Sequence, residues 1–207
     1  MNDLYELNEK DISELSIRLA DNYFYDDLYV YVFDDEMRRF DILEKYFRQY
    51  IKTIRKNYHF LADSEKKESF IILYDSRKSN KAKDVIKVGK VTTSLFKILK
   101  ELKTYDNIKR AAKYYNLFSW TWVNDFVNKD YFHIDIMFTK RAYRNQGHTK
   151  KVMEKITKYA NEQNMDITLE THNKDNVSFF ENFGFVLLKT ITQGDISMYC
   201  MLKKAEE

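Results

Sequence analysis

The order of elements between residues 131 and 203 constrains this chain most. Apolar residues from Phe132 to Phe138 alternate with His133, Asp135 and Met137, and this period of two predicts a strand. The following elements are a polar turn over 139–147, a helix, a strand over 167–171, a helix over 175–182 and a hairpin over 185–202. Gly184 would end the second helix, and Gly194 would form the hairpin turn. This order predicts an α/β domain.

The first turn of this region joins a strand end to a helix start, with the sequence Arg144-Asn145-Gln146-Gly147-His148-Thr149. Free backbone N–H groups and the helix dipole at such a point favour an anion, and a pyrophosphate would suit it. Gly147 permits a positive φ and a close approach of the ligand to the backbone. A single glycine serves a tight turn equally well, so this motif leaves both interpretations open.

Composition excludes several classes of protein. The 207 residues are 44% hydrophobic and 32% charged, which is typical of a globular protein with a sizeable core. The net charge of +3 gives no support to nucleic-acid binding. With Cys200 as the sole cysteine and no histidine pair at ligand spacing, we expect neither an internal disulfide nor a bound metal. We also expect a cytoplasmic protein, because neither a signal sequence nor an apolar run of membrane-spanning length occurs.

The first 130 residues predict further elements without a sharp motif. A helix is expected over 11–22, and the state of residues 29–33 is ambiguous. An apolar stripe from Met37 to Tyr58 predicts a long helix that His59 closes. Strands are predicted over 69–74 and 85–95 as an antiparallel pair, followed by helices over 96–115 and 117–127. No repeat or linker is evident, so we predict one domain over 1–207, with 1–130 on the substrate side.

The segment from Tyr131 to Lys203 resembles the GNAT acetyltransferase family. The family turn Gln/Arg-x-x-Gly-x-Gly/Ala is matched by Arg144, Gly147 and Thr149, with threonine at the last, small position. The family's second motif is matched by the run from Asn176 to Phe185, which contains an aromatic pair and Gly-Phe. Leu169-Glu170-Thr171-x-Asn173 and the last strand are most similar to the puromycin N-acetyltransferase branch.

The resemblance implies a mixed, mostly antiparallel sheet flanked by helices, in which two parallel strands splay apart in a V. It implies acetyl-CoA as co-substrate, bound by residues 131–204 within that V. Backbone groups of Met137, Phe138 and Thr139 would bind the pantetheine, and Asn176 would touch it. The pyrophosphate would be bound by the following residues: Arg144, Asn145, Gln146, Gly147, His148 and Thr149.

The implied reaction is the direct transfer of an acetyl group to a primary amine, most simply of a small molecule, in a ternary complex. Two residues are candidates for the base, His133 and Glu170, and each has a structural alternative as a packed or ion-paired residue. The family often protonates the departing thiolate with a tyrosine where this chain has Phe180. Tyr199 is the replacement candidate, and a silent acyl-CoA-binding sensor or regulator is the alternative function.

An acceptor pocket for a cationic amine needs carboxylates and aromatic rings. One aromatic and acidic segment of the first part of the chain offers both. The substrate candidates are Tyr23, Tyr25, Asp26, Asp27 and Tyr29, for which core packing with solvated acids is the alternative. We expect no nucleic-acid or membrane partner; a homodimer would agree with the family.

Overall fold

The computed structural model of the protein describes residues 3–78, 105–113, 117 and 121–206. The chain divides into two compact units. One, the helical unit, comprises Asn8–Asn57 and Ser79–Phe118. The other, the sheet unit, comprises Met1–Leu7, Tyr58–Lys78 and Ser119–Glu207. The prediction of a single domain over 1–207 therefore stays a prediction.

The helical unit contains four described helices: α1 (Glu9–Tyr23), α2 (Asp27–Val32), α3 (Glu36–Ile54) and α4 (Tyr105–Lys113). Asn8 and Asp11 form a reciprocal capping box at the start of α1. The helices α1 and α3 pack together through buried leucine, isoleucine and phenylalanine side chains, among them Leu15 and Phe47. The ambiguous segment 29–33 lies largely in α2, and the predicted strand over 85–95 lies outside the described residues.

The sheet unit contains seven strands in the order β1-β2-β3-β4-β5-β7-β6. The strands are β1 (Tyr5–Glu6), β2 (Tyr58–Ala62), β3 (Ser69–Asp75), β4 (Tyr131–Thr139), β5 (Asp166–Thr171), β6 (Val186–Gln193) and β7 (Ile196–Lys203). The described part of this unit has three helices: α5 (Val123–Phe126), α6 (His148–Glu162) and α7 (Asp175–Glu181). Short 3₁₀ turns span Ser76–Lys78 and Arg141–Tyr143. The pair β4–β5 is parallel and the other neighbours are antiparallel. The predicted fold class is confirmed.

Two predictions for the first 130 residues are wrong. The long helix ends at Ile54, and Tyr58 and His59 begin strand β2 instead of closing the helix. Strand β3 was expected to pair with 85–95, but β2 and β4 occupy its two edges. The pattern misled because Tyr58 continues the helical spacing of α3, although the aromatic residues Tyr58 and Phe60 favour a strand. The helix predicted over 117–127 is only the short α5 among the described residues.

One face of the sheet packs against α6 and α7 to form the core of the sheet unit. Phe132, Ile134, Ile167, Leu169 and Met201 contribute from the strands. The helices contribute the buried residues Val152, Met153, Ile156, Ala160, Val177 and Phe180. The predicted apolar face of α6 is confirmed by the burial of Val152, Met153, Ile156 and Ala160. None of the helices in the described ranges is both long and apolar enough to cross a bilayer.

The buried carboxylate of Asp166 ties the end of the chain to the start of β5. It accepts hydrogen bonds from Nζ of Lys204 at 2.9 Å and from the backbone N–H of Ala205 at 3.0 Å, and Nζ of Lys129 lies 3.1 Å away. Burial alone would raise the pKa of this carboxyl group. The hydrogen bonds outweigh it and hold the pKa of Asp166 below its usual value.

We expect Asp166→Asn to lower the free energy of unfolding at pH 7 by about 2 kcal/mol, because two cations lose a buried partner. A lowered pKa stabilises the folded state above the usual carboxyl pKa, and this contribution is lost as the pH falls below about 5. In urea denaturation, the difference in the free energy of unfolding between wild type and Asp166→Asn should therefore be smaller at pH 3 than at pH 7. Asp195→Asn, in the exposed hairpin turn, is the control; an equal loss at both pH values would contradict the prediction.

Candidate active site

The pairing between strands β4 and β5 ends partway along both strands. Their parallel pairing runs from Tyr131 with Asp166 to Ile134 with Leu169. Beyond that point β4 continues to Thr139 and β5 to Thr171 without further pairs between them. This is the predicted V. The residues expected to bind pantetheine, Met137, Phe138 and Thr139, lie on the stretch of β4 that pairs with β3 but not with β5; their role is a prediction.

A β-bulge lies where the two strands separate. The register against β3 changes from Leu73 with Ile134 to Ile72 with Ile136, so Asp135 is an extra residue in β4. The bulge exchanges the two faces of the strand. Phe132 and Ile134 lie in the core with α6, as does Met137, whereas Ile136 and Phe138 belong to the opposite face. The strand predicted over 132–138 is confirmed as part of β4, and the bulge at Asp135 interrupts the alternation of its side chains.

The turn before α6 is exposed and left-handed at two residues. Asn145 has φ 62° and Gly147 has φ 81°. A Cβ placed on Gly147 would meet no heavy atom within 4 Å. The backbone N–H groups of His148, Thr149 and Lys150 have no acceptor among the described residues. The turn thus offers an uncapped helix N-terminus next to the open end of β4, which suits an anion.

Side chains beneath this turn fix it to the sheet. Oγ1 of Thr149 lies 2.7 Å from Oγ1 of Thr139, which donates to Oγ of Ser69 at 2.9 Å. On the other side Nδ1 of His148 lies 2.6 Å from Oδ2 of Asp63. Nε of Arg144 donates to the carbonyl oxygen of Thr139 at 3.4 Å. The hydroxyl pair accounts for a threonine at the family's small position, because its polar atom has a partner there.

We expect Thr149→Ala to lower the free energy of unfolding by about 1 kcal/mol, the typical net value of one hydrogen bond. The affinity for acetyl-CoA, the predicted ligand of the turn, should stay within twofold of wild type, since the backbone amides of the turn are unchanged. Thr149→Ser keeps the hydroxyl group and is the matched control in urea denaturation and calorimetric titration. A large loss of affinity in Thr149→Ala alone would mean that the hydroxyl binds the ligand.

A group of potential metal ligands lies beside the turn. The ligand atoms of Asp63, Glu68 and His148 lie within 4.8 Å of one another. Each already has a protein partner: Asp63 and His148 bind each other, and Ser64 donates to Glu68 at 2.7 Å. The hydrogen bond from Ser64 outweighs burial and holds the pKa of Glu68 below its usual value. These bonds explain the group as an anchor of the turn, and the expected absence of a metal stays a prediction.

The two base candidates are in direct contact. His133 is buried, with 1% of its side chain exposed, and its Nε2 lies 3.2 Å from Oε2 of Glu170, which is 14% exposed. Burial lowers the pKa of His133, but the carboxylates of Glu170 and Asp135 outweigh it and raise its pKa above the usual value. A buried imidazole whose Nε2 is already in contact with a carboxylate is poorly placed to accept a proton from a substrate. The contact therefore favours Glu170 over His133 as the base.

Other predicted residues occupy distinct places. Tyr199 is partly buried against the core of α6 and α7, which also contains Phe180, whereas Glu170 and Cys200 lie on the opposite face of the sheet. Burial raises the pKa of the Cys200 thiol to about 12, so this thiol is inert. Nδ2 of Asn176 donates to Oγ1 of Thr171 at 3.1 Å, which places it at the end of β5 beside the V.

The substrate candidates in the helical unit have structural contacts of their own. Tyr23 and Tyr29 pack edge to face at 5.4 Å, and both contact Phe47. Oδ1 of Asp26 accepts from the backbone N–H of Leu28 at 3.1 Å and caps α2. Asp27 is exposed in the first turn of α2, and Tyr25 is 64% exposed. Their contact with an acceptor stays a prediction.

Trp122 was missed as a member of the site. It is 3% exposed, and its Nε1–H donates to Oε1 of Glu170, which is 48 residues further along the chain. Only the tertiary structure brings them together, and the local sequence around Trp122 carries no signal of this contact.

Comparisons with known proteins agree with this geometry. Residues 125–204 match the family model described as an acetyltransferase (GNAT) domain. No curated protein sequence matches the chain at a significant level.

Several solved structures are similar in fold. A structure titled histone acetyltransferase HPA2 and related acetyltransferase, from Corynebacterium glutamicum, has a TM-score of 0.60 at 12% identity and covers 99% of this chain and 96% of its own. Arylalkylamine N-acetyltransferase 2 from Aedes aegypti has a TM-score of 0.57 at 13% identity and covers 98% of both chains. Arabidopsis thaliana NAA60 in complex with acetyl-CoA has a TM-score of 0.51 at 11% identity and covers 97% of both.

The agreement extends over nearly the whole chain, and the family model covers the part that forms the V, the turn and α7. The chain therefore shares the fold of these acetyltransferase structures, and its residues 125–204 match the family model of an acetyltransferase (GNAT) domain.

Proposed function

We propose that the protein is an acetyl-CoA-dependent N-acetyltransferase that acts on a primary amine. One observation carries this proposal. The end of β4 that has no pairs with β5 meets an uncapped helix N-terminus whose glycine leaves open space in front of the backbone. A strand edge with free hydrogen-bonding groups suits the amides of a pantetheine arm, and the helix start suits a pyrophosphate. The residues present fit the co-substrate.

The co-substrate supplies an activated acetyl thioester, which an amine attacks with formation of a C–N bond and loss of the CoA thiol. The amine must be neutral to attack, whereas an alkylammonium has a pKa near ~10. Glu170 is the first residue of β5 beyond the paired region, and it retains exposed surface. Its carboxylate would orient the ammonium group and accept a proton from it, directly or through water. His133 would remain in contact with Glu170 as its fixed partner.

The departing thiolate needs a proton, and Phe180 has none to donate. Phe180 is buried, with its ring centroid 5.3 Å from that of Phe179 and 5.8 Å from that of Phe185. Tyr199 packs against the same core and carries a hydroxyl group, so we propose it as the donor. A thiol has an unperturbed pKa near ~8.5, so protonation by solvent would also sustain turnover.

A silent acyl-CoA sensor is the second candidate, and Phe180 is the observation that favours it. Phe180→Tyr separates the two. In a transferase that lacks an efficient donor, the new hydroxyl should raise amine-dependent thiol release several-fold. In a sensor it should change neither release nor binding.

The acceptor is proposed as a small cationic amine, with the aromatic and acidic residues between Tyr23 and Tyr29 as its pocket. The likeness to the puromycin N-acetyltransferase branch and the arylalkylamine-acetylating fold neighbour agree with this class. A cytoplasmic location, freedom from nucleic acid and membrane, and a homodimer belong to the same proposal.

Calorimetric titration with acetyl-CoA, followed by a free-thiol assay against spermidine, tyramine and glycinamide, tests the function. We expect micromolar binding and thiol release that depends on the amine. Binding without release across a broad amine panel would favour the sensor. Absence of binding would overturn both candidates.

A further inference from the structure

Trp122 holds one oxygen of the Glu170 carboxylate. The indole is almost fully buried, and its Nε1–H donates to Oε1. The ring centroid of Phe126 lies 6.0 Å from that of Trp122, and Phe126 is 39% exposed. An indole N–H can only donate a hydrogen bond, so its buried partner must be an acceptor such as a carboxylate.

His133 holds the other oxygen, and Thr168 orients His133. Nε2 of His133 lies 3.2 Å from Oε2 of Glu170, and Nδ1 lies 2.9 Å from Oγ1 of Thr168. Oγ1 of Thr168 in turn donates to the carbonyl oxygen of Phe132 at 3.4 Å. The hydroxyl therefore accepts from Nδ1–H, and Nε2 donates to the carboxylate in the imidazolium form, in which both ring nitrogens carry a proton. Each carboxylate oxygen thus has a fixed donor from a different element.

A contribution to folding stability is a weak explanation for the buried pair of His133 and Glu170. A buried ion pair loses solvation, and apolar residues of similar volume often replace one without loss of stability. Here His133 and Glu170 lie where β4 and β5 separate. The carboxylate of Asp135 in the bulge also raises the pKa of His133. Charged groups held by several donors at a cleft are characteristic of functional sites.

We propose that Trp122 is a positioning residue, which together with His133 fixes the Glu170 carboxylate at the open end of the V for use on the acceptor amine. This inference rests on the proposed function. A carboxylate held by two donors keeps free lone pairs on both oxygens, so it can still accept a bond from an ammonium group. The orientation of the Glu170 carboxylate is set before the amine binds. This preorganisation should raise kcat more than it strengthens binding of the amine.

The test compares Trp122→Phe with Phe126→Leu in the full chain. Trp122→Phe keeps an aromatic ring but removes the N–H, whereas Phe126→Leu disturbs the packing beside Trp122 and keeps the N–H. Three quantities are measured: kcat with the best of spermidine, tyramine and glycinamide, Kd for acetyl-CoA, and the titration midpoint of His133 from ring-nitrogen NMR.

For Trp122→Phe we expect kcat to fall about tenfold, with Kd for acetyl-CoA within twofold of wild type. The midpoint of His133 should fall, because a carboxylate that is free to rotate stabilises the imidazolium less. Phe126→Leu should leave all three quantities close to wild type. An unchanged kcat and an unchanged His133 midpoint in Trp122→Phe would overturn the proposal.

Activity of the wild type separates the role of Trp122 from the transferase activity itself. If wild type binds acetyl-CoA but acetylates no amine, the transferase and the positioning role both fail, and the His133 midpoint reports only whether the contact exists. If amines are acetylated and Trp122→Phe is as active as wild type, the transferase stands and the role of Trp122 falls.

Discussion

Gly147→Val is expected to weaken acetyl-CoA binding about 100-fold, a loss of about 2.7 kcal/mol. Gly147 has φ 81°, and its Cβ would project into space that holds no protein atom within 4 Å. Gly147 directly precedes the free backbone N–H groups at the start of α6, where a pyrophosphate would be bound. A branched side chain there would separate the anion from at least two amides, each worth about 1.5 kcal/mol as a hydrogen bond to a charged group.

The strain of a β-branched residue at positive φ needs its own control, since it costs of order 1–3 kcal/mol of stability. Gly194→Val supplies it, because Gly194 has φ 60° in the hairpin between β6 and β7. Calorimetric titration at a temperature where circular dichroism shows both variants folded should give near-normal affinity for Gly194→Val alone. Normal affinity in a folded Gly147→Val variant would show that residues 144–149 form only a turn.

Glu170→Gln is expected to lower kcat for amine acetylation by a factor of about 10² to 10³, the usual range for loss of a general base. Kd for acetyl-CoA should stay within about twofold, because the predicted cofactor contacts lie on β4 and at the start of α6. Glutamine has the size of glutamate and its oxygen can still accept from Trp122. The fold should therefore survive the change.

The pH dependence of kcat in Glu170→Gln distinguishes proton transfer from amine binding as the role of Glu170. An alkylammonium loses its proton near ~10, so the deficit of Glu170→Gln should shrink as the pH rises toward 9.5. Glu154→Gln, an exposed carboxylate on α6, is the matched control and should behave as wild type. A deficit that is equal at pH 7 and pH 9.5 would assign Glu170 to binding of the amine instead of to proton transfer.

Local sequence determined the elements of residues 131–203. Alternation predicted β4, and the glycines at 147, 184 and 194 predicted three turns, all of which have positive φ. The hairpin of β6 and β7 followed from Gly194 between two apolar runs. These features depend on residues within a few positions of one another, so backbone propensity and side-chain spacing are sufficient to predict them.

Tertiary structure decided the strand neighbours and the composition of the candidate site. Strand β2 was hidden at the end of a helical pattern, and pairing with β2 and β4 occupies both edges of β3. The bulge at Asp135 depends on the register against β3, which no alternation within β4 reveals. His133, Glu170 and Trp122 were separately visible in the sequence, but their contact was not. The free energy of such contacts comes from burial and hydrogen bonds between distant segments, and a single sequence records the side chains without recording which of them meet.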